Sequence, residues 1–144
     1  MNFYRRHLPH WQPHGAHYFI TFRLAGSLPK HVIEQIKDQK ADIERAIESK
    51  DLSKEERKQL HIQRTQIIQS FEKYLDHNSK GPHWLNQKSI AQLVSDAIHY
   101  RDQKVYDLLA FCIMSNHVHL VFKHYPEVYS ESDKPITKIL KSLK

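Results

Sequence analysis

Two histidines separated by one residue, His117 and His119, stand in the segment Ala110-Phe-Cys-Ile-Met-Ser-Asn-His-Val-His-Leu-Val-Phe122. In a β-strand, residues i and i+2 point to the same side, so both imidazoles share one face while Val118, Leu120 and Phe122 take the other. At a rise of about 3.3 Å per residue their backbones lie roughly 6–7 Å apart, and the rings can converge on one divalent ion. Imidazole is a good ligand for several such ions, and a strand holds it rigidly. The same spacing also arises in ordinary packing, since 12 of the 144 residues are histidine. Two ligands are too few for a tight site, so the pair needs a third donor from elsewhere.

The elements that would position the pair can be read on either side of it. Val105–Met114 is nearly unbroken apolar sequence, Ser115-Asn116 is a two-residue break, and His117–Phe122 alternates, which predicts a β-hairpin. Near the start, His17–Leu24 is aromatic and β-branched and predicts another strand. Tyr18, Ile20, Phe22 and Leu24 fall on one side of it, and Phe19, Thr21 and Arg23 on the other. Helical spacing of Val32, Ile33, Ile36, Ile43 and Ile47 predicts a helix over about 31–49. Ser53 with Glu56 forms a capping-box pattern that opens a second helix, striped by Leu60, Ile67, Phe71 and Leu75. Together these form a charged helical hairpin over 31–76. Asn86 is the expected cap of a third helix over 87–101, whose buried side carries Ile90, Leu93, Val94, Ala97 and Ile98. Trp11 and Trp84 read as packing residues at loop ends. A short basic helix over about 136–143 closes the chain.

Charge points to a polyanion. The net charge is +6, and residues 1–29 carry Arg5, Arg6 and Arg23 with no acid. Residues 30–80 are nearly balanced, with 11 basic and 10 acidic side chains, and no acid follows Asp133. The basic parts are thus a Pro- and Gly-containing arm over 1–16 and the C-terminal helix, where Lys138, Lys141 and Lys144 recur at helical spacing. The apolar runs are too short to span a bilayer, and the N-terminus lacks the apolar stretch of a signal peptide. The lone Cys112 argues against a disulfide framework or a cysteine-based zinc site. The chain reads as a soluble, cytoplasmic protein without a membrane partner.

The histidine segment resembles the His-hydrophobic-His strand of single-tyrosine transposases. Tyr18–Leu24, preceded by Arg5-Arg6-His-Leu-Pro-His10, resembles the start of REP-associated tyrosine transposases, in the insertion-sequence-200-like superfamily. Thr137–Lys144 resembles the helix that follows their histidine strand. The three stretches occur in the family's order. The resemblance implies an α+β fold with a ferredoxin-like antiparallel sheet, helices on one face, and 31–76 as an insertion after the first strand. It also implies a single-stranded or hairpin DNA partner and metal-dependent strand cleavage and rejoining through a phosphotyrosine intermediate. His117 and His119 would then hold Mg²⁺ or Mn²⁺.

The chain departs from the family in lacking the family's last strand and a helix bearing the nucleophilic tyrosine. Read as a single transposase-like domain over 1–144, it is incomplete. The nucleophile is expected beyond Lys144, because Tyr125 and Tyr129 fall too close to the histidine strand. Independent strand cleavage by this chain is not expected, and a homodimer is one way to fill the open sheet edge. Arg5, Arg6, Arg23 and Lys123 are the expected DNA contacts, with Arg23 and Lys123 on the histidine side of their strands. Phe19 is placed either to stack on a base or to cover the sheet. Two other readings stay open: a non-catalytic hairpin DNA or RNA binding module derived from a transposase, and a small α+β protein whose histidines merely pack.

Overall fold

A computed structural model of the chain describes residues 15–49, 51–78, 80–125 and 135–143. Residues 1–14 of the basic arm, including Arg5, Arg6 and Trp11, together with Tyr129 and Lys144, lie outside these residues. The architecture is α+β, and the chain divides into two compact units, one formed by 1–23 with 84–144 and the other by 24–83.

The first unit is built on three antiparallel strands, β1 (His17–Arg23), β2 (Tyr106–Ile113) and β3 (His117–His124), in the order β1-β3-β2. Alternation along β3 sets the two sides of the sheet. Val118, Leu120 and Phe122 are fully buried on one side, where β1 contributes Ile20 and β2 contributes Tyr106. That side is covered by the helix Lys88–Arg101, which follows a short 3-10 turn at Trp84–Asn86 and buries Ile98 completely. The Tyr106 hydroxyl donates to the Ile98 carbonyl at 2.7 Å, and its ring lies 5.0 Å from that of Phe122. Burial pushes the Tyr106 phenol up to about 12.

Three expectations for this region are corrected. Asn86 sits in the 3-10 turn, and the helix begins after Gln87, without a side-chain cap. Leu93 is 69% exposed rather than buried, and Ile98 is the residue of this helix that is fully buried. Trp84 is 59% exposed, so it is not a packing residue. A bulge between Leu108 and Ala110 also shifts the register of β2 by one. Before it, Tyr106 and Leu108 face the helix; after it, Phe111 and Ile113 do, and Cys112 turns to the opposite side.

The helix Pro135–Leu143 packs on the preceding one. Ile139 is fully buried, and Arg101 donates to the Ser142 hydroxyl at 2.9 Å and to its backbone carbonyl. In chain order the helices are α1 (Lys30–Ile47), α2 (Lys54–His77), α3 (Lys88–Arg101) and α4 (Pro135–Leu143).

The second unit is the α1–α2 hairpin. Val32, Ile36 and Ile43 of α1 and Leu75 of α2 are buried, as are Ser27 and Leu28 ahead of α1, with Leu60, Ile67 and Phe71 half-buried in line with Leu75. The capping box forms as expected: Glu56 N–H donates to the Ser53 hydroxyl at 3.2 Å, and Ser53 N–H donates back to the Glu56 carboxylate at 2.8 Å. The Arg57 guanidinium donates to the Ile47 carbonyl at 3.0 Å across the turn. Near the start and end of the unit, a Cβ on Gly81 would stand 2.7 Å from the Gly26 carbonyl oxygen. Gly81 also has a φ of +103°, so only glycine fits there. Among the described residues no helix is long and apolar enough to cross a membrane.

Candidate metal centre and nucleic-acid interface

The site lies on the side of the sheet away from α3, in the first unit. The central strand β3 presents His117, His119, Val121 and Lys123 there. The register places Arg23, Thr21, Phe19 and His17 of β1 opposite them in turn, and Cys112, Ala110 and Asp107 of β2 opposite His119, Val121 and Lys123. Arg23 and Lys123 thus stand on the histidine side, at opposite ends of it. Met114 N–H donates to the His117 carbonyl at 2.8 Å and closes the hairpin over Ser115-Asn116.

The two imidazoles converge. His117 Nε2 lies 3.0 Å from His119 Nε2, with ring centroids 4.7 Å apart and planes nearly perpendicular at 84°. Each ring is steadied through its other nitrogen. His117 Nδ1 is 2.7 Å from Asn116 Oδ1, and His119 Nδ1 is 2.9 Å from Thr21 Oγ1. An amide oxygen only accepts, so the proton of a neutral His117 sits on Nδ1 and its Nε2 lone pair points at His119. A hydroxyl both donates and accepts. Thr21 can therefore support His119 with its proton on Nε2, donated to His117, or on Nδ1, donated to Thr21. In the second arrangement two lone pairs face each other at 3.0 Å, and only a cation between them relieves the repulsion.

That spacing fits an ion. Two cis donors about 2.1 Å from an ion stand about 3.0 Å apart in an octahedral shell and about 3.4 Å apart in a tetrahedral one. An oxygen partner on the far nitrogen of each ligating histidine is also the usual arrangement in metal sites. Among the described residues no group of three His, Cys, Asp or Glu side chains stands ready to hold a metal. Cys112, although opposite His119, directs its thiol to the Met114 sulfur at 3.6 Å.

The expectation of an open histidine face holds for His119, which is half-buried, and fails for His117, which is fully buried. His117 is the first residue of β3, next to the hairpin loop. There Leu85 N–H donates to the Ser115 carbonyl at 3.1 Å and brings the 3-10 turn against that loop. Of the two rings, His119 is therefore the one that retains exposed surface. Arg23 is half-buried opposite His117, and burial lowers the pKa of its guanidinium, whereas Lys123 is exposed. Phe19 is 58% exposed, and its ring stacks on His119 at 5.5 Å with only 18° between the planes.

Among the described residues of the first unit, no tyrosine accompanies the pair. Tyr18 and Tyr106 lie on the α3 side of the sheet. The Tyr125 hydroxyl donates to Asp107, and that carboxylate raises the phenol above its ordinary value. Asp107 pairs with Lys123, four residues along β3 from His119, or roughly 13 Å. The residues that sequence reasoning passed over are Asn116 and Thr21. Thr21 was legible by alternation, since it shares a side with Phe19 and Arg23; Asn116 carried no signal beyond its place before His117. Comparison with protein-family models, with curated proteins and with solved structures finds no match to this chain.

Proposed function

We propose that the chain binds single-stranded DNA next to a hairpin and holds a divalent ion, Mg²⁺ or Mn²⁺, on His117 and His119, as a transposase-like DNA-strand-handling protein. The observation that carries this reading is the 3.0 Å approach of the two Nε2 atoms, each ring being held from behind by an oxygen. The β1-β3-β2 order is also compatible with a ferredoxin-like sheet, and the sequence resemblance to REP-associated tyrosine transposases supplies the DNA substrate.

When bound, the ion supplies Lewis acidity to a phosphoryl oxygen. The protein's own part is to orient the histidines through Asn116 and Thr21 and to bring cationic side chains to the strand. Arg23 and Lys123 on the same side, with Arg5 and Arg6 of the basic arm, neutralise phosphates. In the full reaction a tyrosine attacks phosphorus, forms a phosphotyrosine bond and releases a 3′-hydroxyl. Among the described residues of the first unit no tyrosine stands beside the pair, and Tyr125 is tied to Asp107 with a raised pKa, so it is a poor nucleophile at neutral pH. This favours a second reading, a binding module derived from such an enzyme.

Both readings predict binding of hairpin-bearing single-stranded DNA that weakens steeply with salt. With Mn²⁺ added, the purified chain is expected to form no covalent protein–DNA adduct. An adduct mapped to Tyr125 or Tyr129 overturns the absence of independent cleavage. Salt-insensitive binding, or none, overturns the nucleic-acid role itself.

A further inference from the structure

We propose that Phe19 is a nucleobase-stacking platform, which seats one base of single-stranded DNA beside the phosphate held near His119. The inference rests on the DNA-binding reading above and adds to it a specific subsite. A phenylalanine that is 58% exposed in the middle of a strand needs a reason, since the other side of β1 already buries Ile20. Its ring is not loose: one side lies against the His119 imidazole, nearly parallel. Across the sheet its row continues through Val121, half-buried, and Ala110, small and exposed. Small neighbours leave the surface around the ring low, so a flat base has room to lie on it.

The charges fit the same occupant. Arg23 stands opposite His117 at one end of this side and Lys123 at the other, six residues or roughly 20 Å along β3. The acid there, Asp107, accepts a hydrogen bond from Tyr125. A strand running between the two cations passes over an aromatic ring, four residues along from the Arg23 row and two from the Lys123 row. Aromatic side chains on the open face of a sheet hold single-stranded bases in this way, with little dependence on sequence. Because Phe19 also touches His119, a base on the ring brings its own phosphate toward the histidine pair.

The test compares wild type, Phe19→Ala and Phe19→Trp on two probes, an oligothymidylate and an abasic strand of equal length, with Mn²⁺ present. Phe19→Ala is expected to bind oligothymidylate about 10-fold more weakly, while its affinity for the abasic strand falls much less. Phe19→Trp is expected to retain tight binding and to show fluorescence quenching beyond that of wild type when oligothymidylate is added. Equal binding of oligothymidylate by wild type and Phe19→Ala overturns the platform. So does an equal loss on both probes, which would mark Phe19 as a support for His119 only. Tighter binding of oligouridylate than of oligothymidylate overturns the assignment to DNA. If wild type binds neither probe, the DNA-binding reading itself fails and the platform falls with it.

Discussion

Replacing Thr21 by valine removes one oxygen and leaves the shape of the side chain almost unchanged. Valine keeps the β-branched form that suits a strand, so β1 should still pair with β3. The lost group is the partner of His119 Nδ1 at 2.9 Å. Without it, the Nδ1 proton of the tautomer whose Nε2 lone pair is free for an ion loses its acceptor in that contact. Loss of such an outer partner typically lowers metal affinity by about 10- to 100-fold, equivalent to about 1.4–2.8 kcal/mol of binding free energy. The cost to folding is smaller, about 0.5–1.5 kcal/mol for one hydrogen bond. Calorimetric titration with Mn²⁺ separates the two effects, because the folded protein is titrated and its stability is read independently by denaturant. Thr21→Ser, which keeps the hydroxyl, is expected to restore most of the affinity. If Thr21→Val binds Mn²⁺ as wild type does while His119→Ala does not, the orienting role of Thr21 is refuted.

Other consequences follow from the fold. Tyr106→Phe removes the hydroxyl bound to the Ile98 carbonyl and is expected to cost about 0.5–1.5 kcal/mol at neutral pH in urea unfolding. The Tyr106 phenol is raised to about 12 in the folded state, so its stabilisation is complete below the ordinary tyrosine value near 10 and is lost as pH rises from there through 12. Alkaline unfolding should therefore be shallower in Tyr106→Phe. Ser53→Ala removes the α2 cap, for an expected loss of about 1 kcal/mol read by circular dichroism on thermal unfolding. Hydrogen bonds from Ser53 lower the Glu56 pKa, so that contribution is present above the ordinary carboxylate value and fades as pH falls through the lowered one. The difference between wild type and Ser53→Ala should shrink in acid. Phe122→Ala opens the fully buried centre of the sheet's helix side and is expected to cost about 3–5 kcal/mol.

What the sequence made legible was local. The shared face of His117 and His119 follows from strand alternation, and the Ser53–Glu56 box from hydrogen-bond chemistry that involves only four residues. The placement of Arg23 and Lys123 on the histidine side followed in the same way, and the register agrees. The remainder depended on long-range packing. Alternation cannot foresee the bulge after Leu108, which turns Cys112 from the helix side to the histidine side. Periodicity marked Leu93 as core, but α3 is fully buried only at Ile98, where the Tyr106 hydroxyl of β2 reaches its carbonyl, a long-range contact that periodicity does not see. Burial of His117, the first residue of β3 beside the hairpin loop, is not foreseen by alternation, which gives it the same side as the half-buried His119. Thr21 was on the right side of β1 from the start. Its contact with His119 needed the β1–β3 register, which pairs residues 98 positions apart.

Titration of Mn²⁺ into wild type, His117→Ala and His119→Ala tests the metal centre most directly. Wild type is expected to bind one ion, and each substitution to abolish binding or weaken it at least about 10-fold, the loss that even an outer partner produces. Equal affinity in all three proteins, with circular dichroism showing each one folded, would contradict a metal centre on this pair.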